Sequence, residues 1–539
     1  MHLVRPTFST LSPLVLLLAL ALVSPEVHAG SIPLRLITDP AGENDGDAFG
    51  VSVASVGDLN GDGYDDLVIG ANYYPTLSGH GRAYVYFGGP AIDPVADLVI
   101  PTPFANIAWF GISVASAGDF NADGWPDFIV GARYAGLPGQ AFIVYGGPSL
   151  DSTPDLQLTG ESTGSGTWFG ASVASVGDVN GDGFDDVMVG SPMYRNGVGD
   201  VGRAYVYYGG HAPDTTPDRV FTGAASGDQL GSVVGSAGDV NGDGFPDVFA
   251  VASYNDAGGT DAGAVYVWFG GPAFDTTADL TILGSGANQR ILSADGAGDV
   301  NADGYSDLIV SQKDHVDLFL GGLVPDAIPD VTIARSYAAA AGAGDVNGDG
   351  IEDFVLGDSG DDTGGTDAGK VSVYYGGATI DTVEDESYVG DRPGRYLGRR
   401  VGRAGHIDGS DLADVFASAA EDPENVGYDR GRVYLLANSE TTDVPTTPIQ
   451  GLALVGLAPN PAWSDVNLQF SLDHAIRVRV SVYDVAGREV ARPVSDERLE
   501  GHVTRVWRPH ALPSGIYFVR TRMSGREQVR KLVWLGHKR

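Results

Sequence analysis

The chain has 539 residues, 43% of them apolar and 19% charged, with 78 glycines, no cysteine and a formal net charge of −38. That length has room for more than one domain, and the apolar share is too high for a disordered chain. Without cysteine, stability must come from packing or from metal, and so large an acidic surplus argues against nucleic acid as a partner and against anionic membranes held by charge alone.

The first element, residues 1–29, reads as a secretory signal peptide. Arg5 precedes the apolar run LVLLLALALV (Leu14 to Val23), and Val27-His28-Ala29 offers small residues for cleavage. The run is too short for a spanning helix, and no later segment reads as a membrane span. The expected location is therefore secreted or on the outer cell surface, in a bacterial-type protein.

Residues 30–440 are a repeat array. An Asp-rich loop begins at Asp58, Asp119, Asp178, Asp239, Asp299 and Asp345, and a degraded seventh copy begins at His406; the intervals are 61, 59, 61, 60, 46 and 61 residues. Before the loop runs an alternating segment such as FGVSVASVGD from Phe49, and after it an apolar run such as LVIGA (Leu67 to Ala71). A variable polar loop, a β-rich run such as RAYVYFGG from Arg82 and a short strand such as ADLVI (Ala96 to Ile100) complete each unit. Four short strands per repeat, with turn residues between them and no helical period, predict an all-β fold, a seven-bladed β-propeller. LRLIT (Leu34 to Thr38) is placed to complete the blade that contains GRVYLL (Gly431 to Leu436) and so to close the ring.

The loops have the oxygen spacing of a hard-cation site. Side chains come from positions 1, 3, 5 and 9 and a backbone carbonyl from position 7, with Gly at 6 for the turn. The candidate ligands are Asp58, Asn60, Asp62, Tyr64 and Asp66; Asp119, Asn121, Asp123, Trp125 and Asp127; Asp178, Asn180, Asp182, Phe184 and Asp186; Asp239, Asn241, Asp243, Phe245 and Asp247; Asp299, Asn301, Asp303, Tyr305 and Asp307; and Asp345, Asn347, Asp349, Ile351 and Asp353. This is not an EF-hand, because position 12 is apolar (Ile69, Val130, Val189, Ala250, Val310, Leu356) and no helices flank it. Ca²⁺ suits such a set better than Mg²⁺ or Zn²⁺. About six ions are expected, which would move the net charge from −38 to about −26. The seventh copy, with His406, Asp408, Ser410 and Asp414 and with Asp411 in place of Gly, should be empty.

The FG-x-S-V-A start, the D-x-N-x-D-G-x-x-D loop and the following V-x-G-A resemble the FG-GAP repeats of the integrin α-subunit propeller, over residues 32 to 438. The resemblance implies seven blades, calcium loops on one face and partner binding on the other. Repeats five and six depart from it, reading ILSADGAGD and AAAAGAGD. The opposite-face segments vary most (from Asn72, Arg133, Pro192 and Ser253), and Trp109 and Trp168 lie in inter-blade links. These aromatics are candidates for holding a ligand and, more simply, for wedging blades together.

Residues 441–451 read as a linker. Residues 452–539 form a second domain with 14 Lys+Arg against 8 Asp+Glu, so the part before it carries −44. VNLQFSL, RVRVSVYDV, TRVWRP, GIYFVRTRM and RKLVWL alternate like strands of a small immunoglobulin-like β-sandwich. APNPA (Ala458 to Ala462), VYDVAGREV (Val482 to Val490) and LPSGIYFVR (Leu512 to Arg520) resemble the C-terminal sorting domain of type IX secretion cargo, and also the immunoglobulin-like domain of flagellar hook-capping proteins. That implies secretion machinery as a partner, and a sorting or anchoring role.

No catalytic constellation is expected. Gly160 to Gly164 fits G-x-S-x-G but lacks the strand–turn–helix setting of a nucleophile elbow, and His80, His211 and His315 share no repeat position. The sequence reading is a secreted calcium-binding module for an unidentified protein or glycan. Its alternatives are a hydrolase or polysaccharide lyase on the same scaffold, or a surface-layer component.

Overall fold

The computed structural model describes residues 32–534 except 76–78, 91, 105, 164–165, 198, 337, 411, 420–429, 439–452, 459–465, 485–487, 510–511, 514 and 524–525. The expected signal peptide and the expected linker lie outside the described residues, as do parts of the G-x-S-x-G match and of the three C-terminal motifs. The chain divides into two compact units, Met1–Thr441 and Thr442–Arg539.

In the first unit each repeat folds into its own sheet; the first five are antiparallel with their strands in chain order, and the last two also take in strands from the N-terminal segment. Blade one is Phe49–Gly57, Asp66–Ala71, Arg82–Tyr86 and Leu98–Pro101. The inner strands of the next six blades begin at Phe110, Ser172, Leu230, Ile291, Ala339 and Arg400. The second strand is buried at every position in six of the seven blades, which is why it reads as a continuous apolar run: blades pack against both of its faces. Each inner strand touches that of the next blade, and Arg400–Gly405 touches Phe49–Gly57, so the ring of a β-propeller is closed. The inner strands surround a central channel of ≈ 890 Å³ whose charged lining residues are Asp295, Arg400 and Arg403.

Closure uses the N-terminal strand, as the sequence suggested. Arg35–Thr38 pairs antiparallel with Arg432–Ala437 and completes blade seven. An additional pairing was not foreseen: Ile32–Pro33 runs parallel to Glu386–Val389 of blade six, so one segment ties together the last two blades.

The glycines of the FG and V-x-G-A motifs are where neighbouring blades interlock. A Cβ on Gly111 (φ +82) would lie 2.3 Å from the Arg82 carbonyl oxygen, and a Cβ on Gly70 would lie 2.0 Å from the oxygen of Gly111. The departure at repeat five follows the same logic. Its inner strand has one residue fewer between the first pairings, Ile291↔Gln312 and Ser293↔Ser311. Val251 of blade four stands where blade one has Gly70.

The second unit is one five-stranded sheet built on the long strand Val466–Asp484. That strand pairs with Glu489–Trp507 along most of its length, with Ala453–Ala458 over its first part and with Gly515–Met523 over its last part. Val466, Leu468, Val478, Val480, Val482, Trp507, Tyr517, Val519 and Trp534 share a single apolar cluster. Separate strands over 466–472 and 477–485 were expected; they are one strand, with a register shift between Leu472 and Ile476. Residues 489–503 also form a strand that the apolar pattern did not announce. It lies on the sheet edge, so it tolerates Pro493 and needs no alternation.

Candidate metal loops and the opposite face

The Asp-rich loops join the first and second strands of each blade. In the loop from Asp178, the Asp178 Oδ1 accepts from the N–H of Gly181 (2.8 Å) and Asp182 (3.0 Å), and its Oδ2 accepts from Gly183 N–H (2.8 Å). Asp182 N–H also donates to Asn180 Oδ1 (2.7 Å), and Phe184 N–H donates to Asp182 Oδ1 (3.1 Å). The Asn side chain donates to the position-5 carboxylate in all six loops. Positions 4 and 6 have positive φ, 76° and 93° at Gly181 and Gly183, while Ala122 and Ala302 occupy position 4 at 62° and 60°.

Position 9 behaves differently from the others. Asp186 is fully buried, and its two oxygens accept from Val179 N–H (3.1 Å) and Gly209 N–H (2.9 Å). Asp66, Asp127, Asp247, Asp307 and Asp353 are buried in the same way and accept from the equivalent pairs of N–H groups. Burial pushes their carboxyl groups up, to about 8 for Asp186 and about 7 for the other five, and the position-5 carboxylates push in the same direction. Each loop thus offers oxygen donors only, with positions 1 and 3 half-buried, position 5 exposed and position 9 at a buried base. Among the described residues no three carboxylate or histidine side chains converge on a common point; the loop oxygens are held on backbone N–H groups instead. The donor chemistry fits a hard cation such as Ca²⁺.

The seventh loop has a different solution. Arg35, from the strand that closes the ring, places its guanidinium 2.9 Å from the Asp408 carboxylate at position 3. Asp414 at position 9 is buried, and burial raises its carboxyl to about 8 while Arg35 pulls it down. His406 Nδ1 donates to the Leu412 carbonyl (2.9 Å), and position 6, Asp411, lies outside the described residues.

The loops are also joints between blades. The ring of Trp125, at position 7 of blade two, lies 2.4 Å from where a Gly61 Cβ would be, and Phe245, Tyr305 and Tyr64 cover Gly181, Gly242 and Gly409 in the same way. Gly147 N–H donates to the Leu59 carbonyl of the preceding loop (2.7 Å), and Gly210 and Gly271 repeat this bond to Phe120 and Val179. A second Asp device escaped the sequence reading. Asp97, Asp155, Asp218, Asp279, Asp330 and Asp385 each accept from the N–H at the end of the third strand. Another Asp four residues earlier in each blade caps the turn. Its signal was visible as an Asp-x-x-x-Asp spacing in six repeats.

On the opposite face, Tyr73, Trp109, Tyr134 and Trp168 form a row across blades one to three, with ring centroids 4.9, 4.6 and 6.0 Å apart and the rings tilted edge to face. The two tryptophans therefore do bridge blades, as the simpler expectation held. His80, His211 and His315 remain apart; His315 lies 3.1 Å from the buried Asp317 and beside Asp314.

Residues 49–86, 110–146, 169–207 and 230–268 match the FG-GAP repeat, and residues 457–534 match the secretion system C-terminal sorting domain. The chain therefore carries four FG-GAP repeats within its β-propeller and a secretion-type sorting domain at residues 457–534. It is similar to integrin alpha-5 of Xenopus laevis (34% identity over 38% of this chain and 20% of the relative), integrin alpha-6 of Gallus gallus (36%, over 28% and 14%) and integrin alpha-7 of Homo sapiens (39%, over 28% and 13%). The chain thus spans a fifth or less of the length of these relatives. A solved structure of PorZ, a surface component of the type-IX secretion system of Porphyromonas gingivalis, aligns with 87% of this chain and 58% of its own at 13% identity; its TM-score of 0.37 is too low to carry an argument.

Proposed function

We propose that this protein is a secreted or surface-displayed binding module, adhesion-like in kind. Its propeller holds Ca²⁺ in the six intact loops, and its C-terminal unit, residues 452–539, is the export or anchoring address that the secretion machinery reads. The observation that carries this reading is the union in one chain of integrin-like FG-GAP repeats with a sorting domain. The ligands of each ion would be the side chains at positions 1, 3, 5 and 9 and the carbonyl at 7, for example Asp178, Asn180, Asp182, Asp186 and Phe184. Bound calcium would supply the positive charge that a buried position-9 carboxylate otherwise lacks. The residues themselves set the turn, hold the loop on its own N–H groups and fasten it to the next blade. A protein and glycan array probed with the full chain, in calcium and in chelator, tests the binding role. Calcium-dependent retention of a defined ligand class is expected, and no retention in either condition would sink the reading.

A further inference from the structure

Arg133 follows the second strand of blade two, and its guanidinium lies between two indoles, 4.3 Å from the Trp109 ring centroid and 4.6 Å from that of Trp168. It forms no ion pair with any described residue, and its Nε is buried without an acceptor. The corresponding faces of blades one and three are neutralised. Arg82 and Arg203 also stack on tyrosines, 3.6 Å from Tyr74 and 3.8 Å from Tyr194, but they pair with Glu43 (3.0 Å) and Glu161 (2.7 Å). Segments 72–81, 101–109 and 133–140 contain no Asp or Glu, in a chain that has 70, and the link 160–168 that carries Trp168 contains one, Glu161, which is paired with Arg203. Two large apolar side chains are exposed in these segments, Ile107 at 59% and Leu137 at 67%. Ile107 borders Gly79 together with Trp109, and the Leu137 carbonyl borders Gly166 together with Trp168.

A half-buried guanidinium with no counter-charge, held between two indole rings, offers a planar fork of the kind that fits a carboxylate. The aromatic faces are largely taken by one another and by Arg133, which leaves little platform for a sugar ring, whereas Ile107 and Leu137 suit apolar side chains. We propose that this patch binds a peptide carboxylate, an Asp or Glu side chain or a chain end flanked by apolar residues, presented by a partner protein. The site rests on the binding-module reading above and names its ligand chemistry.

The test is an array of random octapeptides, with free and with amidated C-termini, probed with the calcium-loaded full chain; tri-galacturonate is titrated alongside. Enrichment of acidic residues or free chain ends beside Leu, Ile, Val or Phe is expected, with the Gln or amide counterparts binding at least about tenfold more weakly. Arg133→Gln should lose a similar factor. Leu137→Asp and Ile107→Asp, at exposed positions that leave the fold intact, should do the same with unchanged melting. Equal binding by Arg133→Gln, binding of tri-galacturonate alone, or no enrichment would overturn the site. A ligand from the protein and glycan array whose retention ignores Arg133→Gln would remove this site and leave the binding module standing, whereas an empty array removes both.

Discussion

The six intact loops and the seventh meet the same electrostatic demand by different means. In each of the six, a buried Asp at position 9 satisfies two backbone N–H groups and is surrounded by further carboxylates. In the seventh, the position-5 carboxylate is replaced by Ser410, position 1 is His406, and Arg35 reaches in from the strand that closes the ring. On the proposed function, the loop base has a positive neighbour in every blade: six would take it from solution as Ca²⁺, and the seventh has Arg35 of the chain itself.

Removing calcium should break the comparison most visibly. With free Ca²⁺ at about ten times Kd, each site contributes about 1.4 kcal/mol, so six independent sites contribute about 8 kcal/mol. For a propeller of this size that corresponds to a fall of about 10 °C in Tm in chelator, read by calorimetry. Next comes Asp186→Ala, which strands the N–H groups of Val179 and Gly209 and should cost about 2–4 kcal/mol even in chelator, by denaturant titration. Asp414→Ala should cost about half as much, since Asp414 Oδ1 has no partner and its Oδ2 accepts a longer bond, 3.3 Å from Asp408 N. Arg35→Gln should cost about 1 kcal/mol, because the pair is partly solvated, and the loss should be the same with and without calcium. The smallest effect is a gain. Ala122→Gly relieves a left-handed alanine at φ 62° and should stabilise the propeller by about 0.5–1 kcal/mol, a rise of about 1 °C in Tm.

The repeat spacing, the four strands per blade, the place of the Asp-rich loops between the first two strands and the closing role of Leu34 to Thr38 were all legible because each recurs or alternates with a fixed period. What stayed hidden depends on neighbours in space. Nothing in DVNGDGFDD separates Asp178, half-buried at the rim, from Asp186, buried at the base; burial is decided by the blade packed behind. The pairing of Arg35 with Asp408 spans most of the propeller sequence, and no local pattern announces it. The interlock of Gly70 with Gly111 could be read as two motifs but not as one contact. The edge strand over 489–507 carries charge on a solvated face, so its apolar pattern is weak.

Counting calcium tests the account most directly. Equilibrium dialysis of the purified full chain against radiolabelled Ca²⁺, carried to saturation, should give about six ions per chain, falling by one in Asp178→Ala and not changing in Arg35→Gln. Saturation at one ion or fewer would contradict the loops as calcium sites, and saturation at seven would contradict the arginine-filled seventh loop.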